Sequence, residues 1–423
     1  MKTKVKVKSY EYALSRVEKG HKKPIKPFFV MHTLIRILSF FTLLPRGFKY
    51  TKKGMDKISK KEPCLYLMNH SAFVDLQIVS KILWPKRYNI IMTSDGFVGK
   101  KLLMKSIGCI PTQKFISDSV LVRDIFHCVR KNKMSVLIYP EASYSFDGTA
   151  TTLPESLGKL VKKLGISVVM ITSYGAFSHQ PLYNNLQRRK VKISAEVECI
   201  FSADEISRVS FEEINQKIAE KFSFDNFKWQ QDNKIKIDEK FRADYLHRVL
   251  YKCPHCKAEG QTLGKGTTLT CNACGKVWEL SEYGFMKAQN GETEFSHIPD
   301  WYNYEREAVR KELLDGKYKL DTDVDIYVMT DMKAIYNVGE GHLIHDNNGF
   351  KLTGCDGAIN YTQAPELSYS LYADYYWYEI GDMVCIGNSK VLYYCFPKDK
   401  SVSVAKVRLA TEELYKIVMG KPI

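Results

Sequence analysis

The sequence has little uninterrupted apolar character, and its longest apolar stretch, Phe28–Leu44, is broken by His32 and Arg36. A membrane-spanning helix needs about 20 consecutive apolar residues, so this stretch is marginal for crossing a bilayer. It has no small-residue cleavage site behind it, and we therefore expect no secretory signal. Lysine and arginine flank both ends, which favours a helix that lies in the membrane interface. A buried core helix is the alternative interpretation.

Acidic residues are scarce near the N-terminus, since residues 1–60 contain 16 Lys and Arg but only 3 Asp and Glu. The balance reverses in residues 281–423, which contain 15 basic and 22 acidic side chains. A basic N-terminal block is attracted to an anionic membrane surface or to nucleic acid, and composition alone leaves both partners open. Together with the apolar stretch, it favours a peripheral or monotopic protein at the cytoplasmic face of the cell membrane, attached through residues 28–44.

The 11 cysteines do not form a disulfide-type pattern. Seven stand singly, mostly inside apolar runs, which is typical of buried thiols in a reducing compartment. The other four form two C-x2-C pairs with a 14-residue spacer: Cys253, Cys256, Cys271 and Cys274. Four thiolates satisfy tetrahedral Zn²⁺ with no open position, so the pattern predicts a structural zinc site. A redox or iron–sulfur role is the alternative.

The distribution of apolar residues predicts an α/β fold followed by smaller domains. Over residues 61–225, short strand-like runs alternate with stretches of helical period, as in a sheet flanked by helices. Residues 1–60 precede this domain as a basic leader with the interfacial helix. Residues 226–250 are polar and indicate a linker, and residues 251–281 form the predicted zinc ribbon. Residues 300–423 contain short β-type runs and a final helical stretch, which suggests a β-rich domain resembling a PH or GRAM barrel.

A histidine and an aspartate follow the predicted strand Cys64–Met68. His70 lies two positions beyond this strand, and Asp75 lies five positions beyond His70 at the start of a helical stretch. The ends of sheet strands are where α/β proteins place reactive groups. A histidine at such a position can take a proton from a substrate hydroxyl, and a carboxylate on its other ring nitrogen fixes the tautomer. We therefore expect His70 and Asp75 to act as a base and its orienting group.

Three sequence blocks, in this order, resemble those of the PlsC-type glycerolipid acyltransferases, the 1-acyl-sn-glycerol-3-phosphate acyltransferase family. The blocks are Asn69-His70 with Asp75, the run Gly108–Lys114 that ends in a basic residue, and the run Val136–Glu141 that ends in Pro-Glu. The resemblance covers about residues 28–225. It implies a glycerolipid-acyltransferase-like sheet and transfer of a fatty acyl group from acyl-ACP or acyl-CoA to the free hydroxyl of a lysophospholipid.

The resemblance also implies roles for individual residues. His70 is then the general base and Asp75 orients it, while Lys114 contacts the acceptor phosphate. Glu141 holds either the acceptor or the local turn, and Asn69 and Ser143 are further substrate-binding candidates. Backbone N–H groups in the turn from Pro140 to Ser143, or at the helix start after Asn69, are expected to stabilise the tetrahedral oxyanion.

The sequence departs from the family pattern in the turn after Glu141, where Ala142, Ser143 and Tyr144 replace glycine, threonine and arginine. Lys114 stands where arginine is usual, and lysine cannot make the bidentate contact to phosphate.

The favoured acceptor is 1-acyl-glycerol-3-phosphate, which gives phosphatidic acid. Another lysolipid or polar acceptor, or an inactive lipid-binding adaptor, remains an alternative. Nucleic-acid binding is the least favoured function, because the ribbon spacer has few basic residues. The cluster Tyr372–Tyr378 is either a binding face or strand packing.

Overall fold

The computed structural model describes residues 5–421 except 18, 19, 60 and 117. Parts of three predicted segments lie outside the described residues: positions 1–4, 18, 19 and 60 of the basic leader, position 117 of the α/β segment, and positions 422 and 423 of the β-rich domain. The described chain begins with strand β1 (Val5–Val7) and helix α1 (Tyr10–Ser15). The longer helix α2 (Phe29–Leu43) follows.

The predicted α/β sheet is confirmed, with seven strands among the described residues in the order β2-β8-β7-β3-β6-β4-β5. Its strands are β2 (Lys49–Lys53), β3 (Leu65–Met68), β4 (Tyr88–Thr93), β5 (Cys109–Thr112), β6 (Ser135–Ile138), β7 (Val168–Tyr174) and β8 (Ser194–Phe201). All neighbouring strands are parallel except β7 and β8, which pair antiparallel. The sheet is therefore mixed, and the ends of β3, β6 and β4 meet at one edge.

Helices cover both faces of this sheet. They are α3 (Asp75–Leu83), α4 (Lys101–Ile107), α5 (Ser119–Phe126), α6 (Ser156–Leu164), α7 (Ala176–His179), α8 (Ala203–Arg208), α9 (Phe211–Phe222) and α10 (Asn226–Asp232). Successive side chains of a strand point to opposite faces. Tyr66 and Met68 of β3 accordingly enter one hydrophobic core, whereas Leu65 and Leu67 enter the other. Because both faces are buried, β3 is apolar throughout and does not alternate.

Helix α2 lies on α3 and α4 and exposes a row of apolar side chains. Its His32 is buried, and Nε2 of that ring is 2.9 Å from the Ile107 carbonyl oxygen. Phe29–Arg46 is long and apolar enough to cross a membrane by length and composition, but only 17% of it is buried in the protein. The helix thus packs against the α/β domain on one side and is uncovered on the other.

The four-cysteine segment folds as a small antiparallel sheet, in the order β12-β11-β10-β9. Its strands are β9 (Thr262–Lys265), β10 (Thr268–Cys271), β11 (Val277–Leu280) and β12 (Met286–Ala288). The last strand extends this unit beyond residue 281. The preceding residues 226–250, which read as a polar linker, contain α10 and a buried series, Ala243, Leu246, Val249 and Leu250.

The predicted C-terminal β domain is confirmed as an antiparallel sheet, in the order β16-β15-β14-β13-β19-β18-β17. The bounds are β13 (Leu320–Met329), β14 (Ile335–Asp346), β15 (Gly349–Gly354), β16 (Ile359–Gln363), β17 (Tyr372–Trp377), β18 (Gly381–Gly387) and β19 (Leu392–Pro397). Helix α11 (Ile298–Leu314) precedes the sheet and α12 (Val404–Val418) closes it. The likeness to a PH or GRAM barrel stays a prediction.

The first and last domains of the chain are joined. Strand β1 pairs in parallel with β14, so residues from the basic leader complete the C-terminal sheet. The Tyr10 hydroxyl lies 2.7 Å from that of Tyr393, and Thr330 Oγ1 donates to the Ala13 carbonyl oxygen at 2.7 Å. Residues 5–15 of the basic leader therefore pack as part of the C-terminal domain.

Candidate active site

His70 and Asp75 meet at the end of strand β3. The His70 Nδ1 donates to Asp75 Oδ2 across 3.0 Å, and the same oxygen accepts the N–H groups of Ser71 at 2.8 Å and Ala72 at 3.1 Å. Asp75 is the first residue of α3, where the helix dipole favours a carboxylate. Because a carboxylate only accepts, the proton resides on Nδ1 and the lone pair on Nε2. The ring is thereby prepared to accept a proton at Nε2.

Two tyrosines enclose the His70 ring. Tyr139 stacks on it with a centroid distance of 4.1 Å, and Tyr144 lies against it at 4.4 Å. Burial lowers the pKa of His70 below the usual 6.5, Asp75 opposes this shift, and the charge of Lys114 adds to it. A neutral imidazole at pH 7 is the state that a general base requires.

Glu141 lies behind His70, away from the cavity. Its Oε2 accepts the His70 backbone N–H at 2.8 Å, and its Oε1 accepts the Thr151 N–H at 2.9 Å. Burial raises the pKa of Glu141 to about 7, against the effect of these two hydrogen bonds. Of the two roles expected for Glu141, this geometry favours holding the local turn.

Asn69 and Ser143 are also turned away from the cavity. The Asn69 amide makes two hydrogen bonds to the backbone at the end of β7. Its Oδ1 accepts the Ser173 N–H at 2.8 Å, and its Nδ2 donates to the Ser173 carbonyl at 3.1 Å. Ser143 is buried, and its Oγ has no hydrogen-bond partner within the described chain. Their expected contact with substrate finds no support in this arrangement.

Four backbone N–H groups in the two segments expected to stabilise the oxyanion are already engaged. Those of Ser71 and Ala72 donate to Asp75, that of Ala142 donates to the Tyr139 carbonyl, and that of Ser143 donates to the Glu141 carbonyl. Each of these four groups would have to break such a bond to stabilise an oxyanion, so the expected role of the two segments stays a prediction for their other N–H groups.

Lys114 reaches the same site from strand β5. Its Nζ lies 3.7 Å from the ring centroid of Tyr372, and the charges of Asp95 and Asp374 act on it. Burial lowers the pKa of Lys114, while the two carboxylates oppose that shift. Nothing in the sequence around Lys114 indicates that these two acidic residues act on it.

His70, Asp75 and Lys114 line a cavity of about 1700 Å³. Its lining includes apolar side chains of the α/β domain: Ile90, Met92, Ile107, Ile125, Leu153 and Leu160. It also includes polar and aromatic side chains of the C-terminal domain: Tyr372, Asp374, Tyr376, Trp377 and Tyr378. The volume exceeds that of an ordinary small-molecule pocket, roughly 300–1000 Å³, and suits a long apolar chain with a polar head.

The cluster Tyr372–Tyr378 combines strand packing with exposure to the cavity, and a binding role for its exposed tyrosines stays a prediction. Tyr372, Tyr375 and Trp377 are buried, whereas Tyr376 and Tyr378 are exposed at the cavity. The high density of aromatic residues marks this segment in the sequence. It does not show that strand β17 lines the same cavity as His70.

The four cysteines of the ribbon converge. Their Sγ atoms lie within 4.8 Å of one another, with 3.8 Å between Cys253 and Cys274 and 3.7 Å between Cys256 and Cys271. These distances are too long for disulfides, about 2.05 Å, and match sulfur atoms about 2.3 Å from a shared tetrahedral metal. His255 is turned to Glu294, 3.4 Å away. The cluster can therefore bind a metal ion through thiolates alone.

Comparison with known proteins assigns the class of the α/β domain. The Acyltransferase family model matches residues 49–173, which include strands β2 to β6, β7 except its last residue, and the His70–Asp75 pair. This segment is an acyltransferase domain, and the protein is an acyltransferase enzyme. A comparison with curated proteins finds no match.

A solved structure with a similar fold is the crystal structure of the 1-acyl-sn-glycerophosphate (LPA) acyltransferase, PlsC, from Thermotoga maritima. It is 15% identical, the superposition covers 45% of this chain and 76% of that chain, and the TM-score is 0.35. At this identity and TM-score, the similarity adds nothing to the assignment made from the family model.

Proposed function

We propose that this enzyme transfers a fatty acyl group from a thioester, acyl-ACP or acyl-CoA, to the free hydroxyl of a lysophospholipid at a membrane surface. The observation that carries the proposal is the His70–Asp75 pair at 3.0 Å in a large cavity whose lining includes many apolar side chains. The family resemblance predicts 1-acyl-glycerol-3-phosphate as the acceptor and phosphatidic acid as the product.

The proposed reaction needs no acyl-enzyme. Nε2 of His70 takes the hydroxyl proton as the acceptor oxygen attacks the thioester carbonyl, which gives a tetrahedral oxyanion. Collapse of this intermediate breaks the C–S bond, and the imidazolium returns the proton to the leaving thiolate. Asp75 holds the Nδ1–H tautomer throughout and stabilises the imidazolium when it forms.

The exposed side of α2 supports a membrane location. Apolar residues repeat at helical spacing along it, and Val30, Leu38 and Phe41 are each more than 60% exposed. Basic residues flank the helix, including Lys26 and Lys49. An apolar stripe with cationic ends suits insertion among anionic lipid headgroups. We place the protein at the cytoplasmic face of the cell membrane, attached peripherally or monotopically through residues 28–44.

The four-cysteine cluster is proposed to hold a structural Zn²⁺. With Cys253, Cys256, Cys271 and Cys274 as ligands, no coordination position is left for substrate. The ribbon then supplies stability and connects the acyltransferase domain to the C-terminal domain.

The proposal is tested by measuring transfer of a labelled acyl group from acyl-ACP or acyl-CoA to a panel of lysophospholipids in liposomes. We expect His70→Ala to lose at least about a hundredfold in rate, the scale of general-base catalysis. His342→Ala is the matched control, because His342 is half-exposed and pairs with Asp321 and Asp323 on the C-terminal sheet. Absence of transfer to every acceptor by folded, membrane-bound wild type would instead favour the inactive lipid-binding adaptor.

A further inference from the structure

Tyr144 contacts the proposed base and lines the active-site cavity. Its ring centroid lies 4.4 Å from that of His70, and the ring packs nearly perpendicular to that of Phe73, with 5.9 Å between the centroids. Tyr144 is half-buried and shares the cavity lining with His70. The phenol group is therefore within reach of a substrate that binds beside the imidazole.

The backbone around Tyr144 is tied to the backbone of His70. On one side, the Glu141 carboxylate accepts the His70 N–H at 2.8 Å; on the other, the Ser145 N–H donates to the His70 carbonyl at 3.3 Å. Ala142, within this turn, has a φ of 57°, in the left-handed region that non-glycine residues rarely adopt. Strained residues of this kind cluster where function requires a fixed geometry. Tyr144 is thus held against the base before any substrate binds.

The hydroxyl of Tyr144 is not used by the fold. It makes no hydrogen bond to any residue that the structure describes, and it is not a fully buried atom. Buried tyrosine hydroxyls usually find a partner. Tyr183 and Tyr375 illustrate this, because their hydroxyls donate to backbone carbonyls at 3.0 Å and 2.9 Å. The Tyr144 hydroxyl is therefore a donor that remains for a bound molecule.

This hydroxyl keeps its proton at neutral pH. Burial, together with the charge of Asp75, raises the pKa of Tyr144 well above its usual value of 10. A tyrosine hydroxyl is one of the groups that form oxyanion holes in acyl transfer. Four backbone N–H groups of the neighbouring segments are engaged within the fold, which leaves room for a side-chain donor.

We infer that the hydroxyl of Tyr144 donates a hydrogen bond to the oxyanion of the tetrahedral intermediate. The inference rests on the acyl transfer proposed above and adds a catalytic residue to it. As the acceptor oxygen bonds to the thioester carbonyl carbon, its proton passes to Nε2 of His70 and an electron pair of the C=O bond moves to the carbonyl oxygen. Tyr144 keeps its own proton and holds that oxygen until the C=O bond re-forms, the C–S bond breaks and the imidazolium protonates the thiolate. The tyrosine that stands where the family has arginine thereby acts as a neutral donor.

Tyr144→Phe is the first test, because it removes the hydroxyl and keeps the ring packed on His70. The hydroxyl has no partner in the fold, so the variant should have the thermal midpoint of wild type. With a labelled acyl donor and the best lysophospholipid acceptor in liposomes, kcat should fall about a hundredfold, the scale for one oxyanion donor, with KM for both substrates within about twofold of wild type.

Tyr174→Phe is the matched control. Tyr174 ends β7, is half-buried and stacks on Trp229 with 6.2 Å between the ring centroids, outside the cavity lining. It loses the same hydroxyl group from the same domain and should keep the wild-type kcat and KM.

A dithioester acyl donor, in which sulfur replaces the carbonyl oxygen, separates a lost hydrogen bond from a displaced base. Sulfur is a weak acceptor, so wild type should lose at least about tenfold in kcat with this donor, whereas Tyr144→Phe should lose less than about threefold. Equal loss in both proteins would show that the variant acts through the position of His70, and would overturn the inference.

Two further outcomes would also overturn it: an unchanged kcat in Tyr144→Phe, or a loss found in Tyr139→Phe and not in Tyr144→Phe. Absence of transfer by folded wild type to any acceptor is a distinguishable result, because it overturns the proposed acyl transfer and this inference with it.

Discussion

The backbone N–H of His70 donates to the carboxylate of Glu141 across 2.8 Å, which ties the segment carrying the base to the turn after β6. The other carboxylate oxygen accepts the Thr151 N–H, and the His70 carbonyl accepts the N–H of Ser145 at 3.3 Å. The position of the imidazole ring therefore depends on a buried side chain that does not face the cavity.

Glu141→Gln should lower kcat with little change in KM. A glutamine has one acceptor oxygen, so its NH₂ group faces one of the two N–H donors that Glu141 now satisfies. An unsatisfied buried donor costs about 1–3 kcal/mol, and we expect kcat to fall roughly tenfold to a hundredfold as His70 is displaced. Steady-state kinetics on vesicles measures the effect.

Glu212→Gln is the matched control for this change, because Glu212 is an exposed residue of α9. It should leave both constants at their wild-type values. A rise in KM with unchanged kcat in Glu141→Gln would show instead that Glu141 binds the acceptor.

The pH profile should report the environment of His70. Since burial lowers the pKa of His70 below 6.5, activity should rise with pH below 6.5 and stay level above it. Asp75 raises the pKa of His70 and Lys114 lowers it. Asp75→Asn should therefore move the acidic limb of kcat/KM to lower pH, and Lys114→Met should move it to higher pH.

These two variants also differ in rate. Asp75→Asn should lose on the order of 10²–10⁴-fold, because the amide no longer enforces the Nδ1–H tautomer. If the acidic limb of the kcat/KM profile lies at the same pH in both variants as in wild type, His70 is not the group whose titration produces that limb.

The features that the sequence could predict are the contact between two residues that are close in the chain, the buried strands and the cysteine cluster. His70 and Asp75 are five residues apart, so a strand end and a helix start suffice to bring them together. Strands β3, β6 and β7 were recognisable because central parallel strands are buried on both faces and read as continuous apolar runs. The four-cysteine cluster was recognisable because a shared metal imposes a fixed spacing on each cysteine pair.

The rest depends on contacts between distant parts of the chain. Asp374 reaches the cavity 304 positions after His70, and only the docking of the C-terminal sheet decides this. The register that places Val5 opposite Ile335 is similarly invisible in a short strand within a basic segment. Glu141 was read as a possible acceptor ligand because sequence cannot show which way a turn residue faces between two parallel strands.

Removal of the metal should destabilise more than the ribbon. Cys253, Cys271 and Trp278 belong to the same hydrophobic core as Trp301 of α11, and the Trp301 indole N–H donates to the Lys252 carbonyl at 2.9 Å. Metal binding supplies folding free energy to such small units. Purified protein should contain one zinc per chain, and Cys256→Ser or a strong chelator should lower both zinc content and the thermal midpoint.

Cys355→Ser is the control for the metal experiment, because Cys355 lies in the C-terminal domain away from the cluster. It should retain zinc and melt like wild type. A metal-free wild type with the same thermal midpoint as zinc-loaded protein would show that the thiolates have no structural metal.

Charged substitutions on the exposed side of α2 should weaken membrane binding without harming the fold. Leu38 and Phe41 are 64% and 68% exposed, so glutamate at both positions leaves the core intact. In the interface, however, each carboxylate must enter the apolar layer or lift the helix away from it. We expect Leu38→Glu/Phe41→Glu to reduce binding to anionic vesicles at least tenfold in sedimentation, and to reduce transfer to lysolipid in proportion.

The matched control places glutamate at Leu314 and Tyr283, which are 62% and 42% exposed and lie in the C-terminal part of the chain. This variant should bind vesicles like wild type.

Because the basic flanks of α2 contribute electrostatic attraction, wild-type binding should also weaken as salt rises from 0.05 to about 0.5 M, where the Debye length falls well below 10 Å. Equal binding by both double variants would place the membrane contact elsewhere than α2.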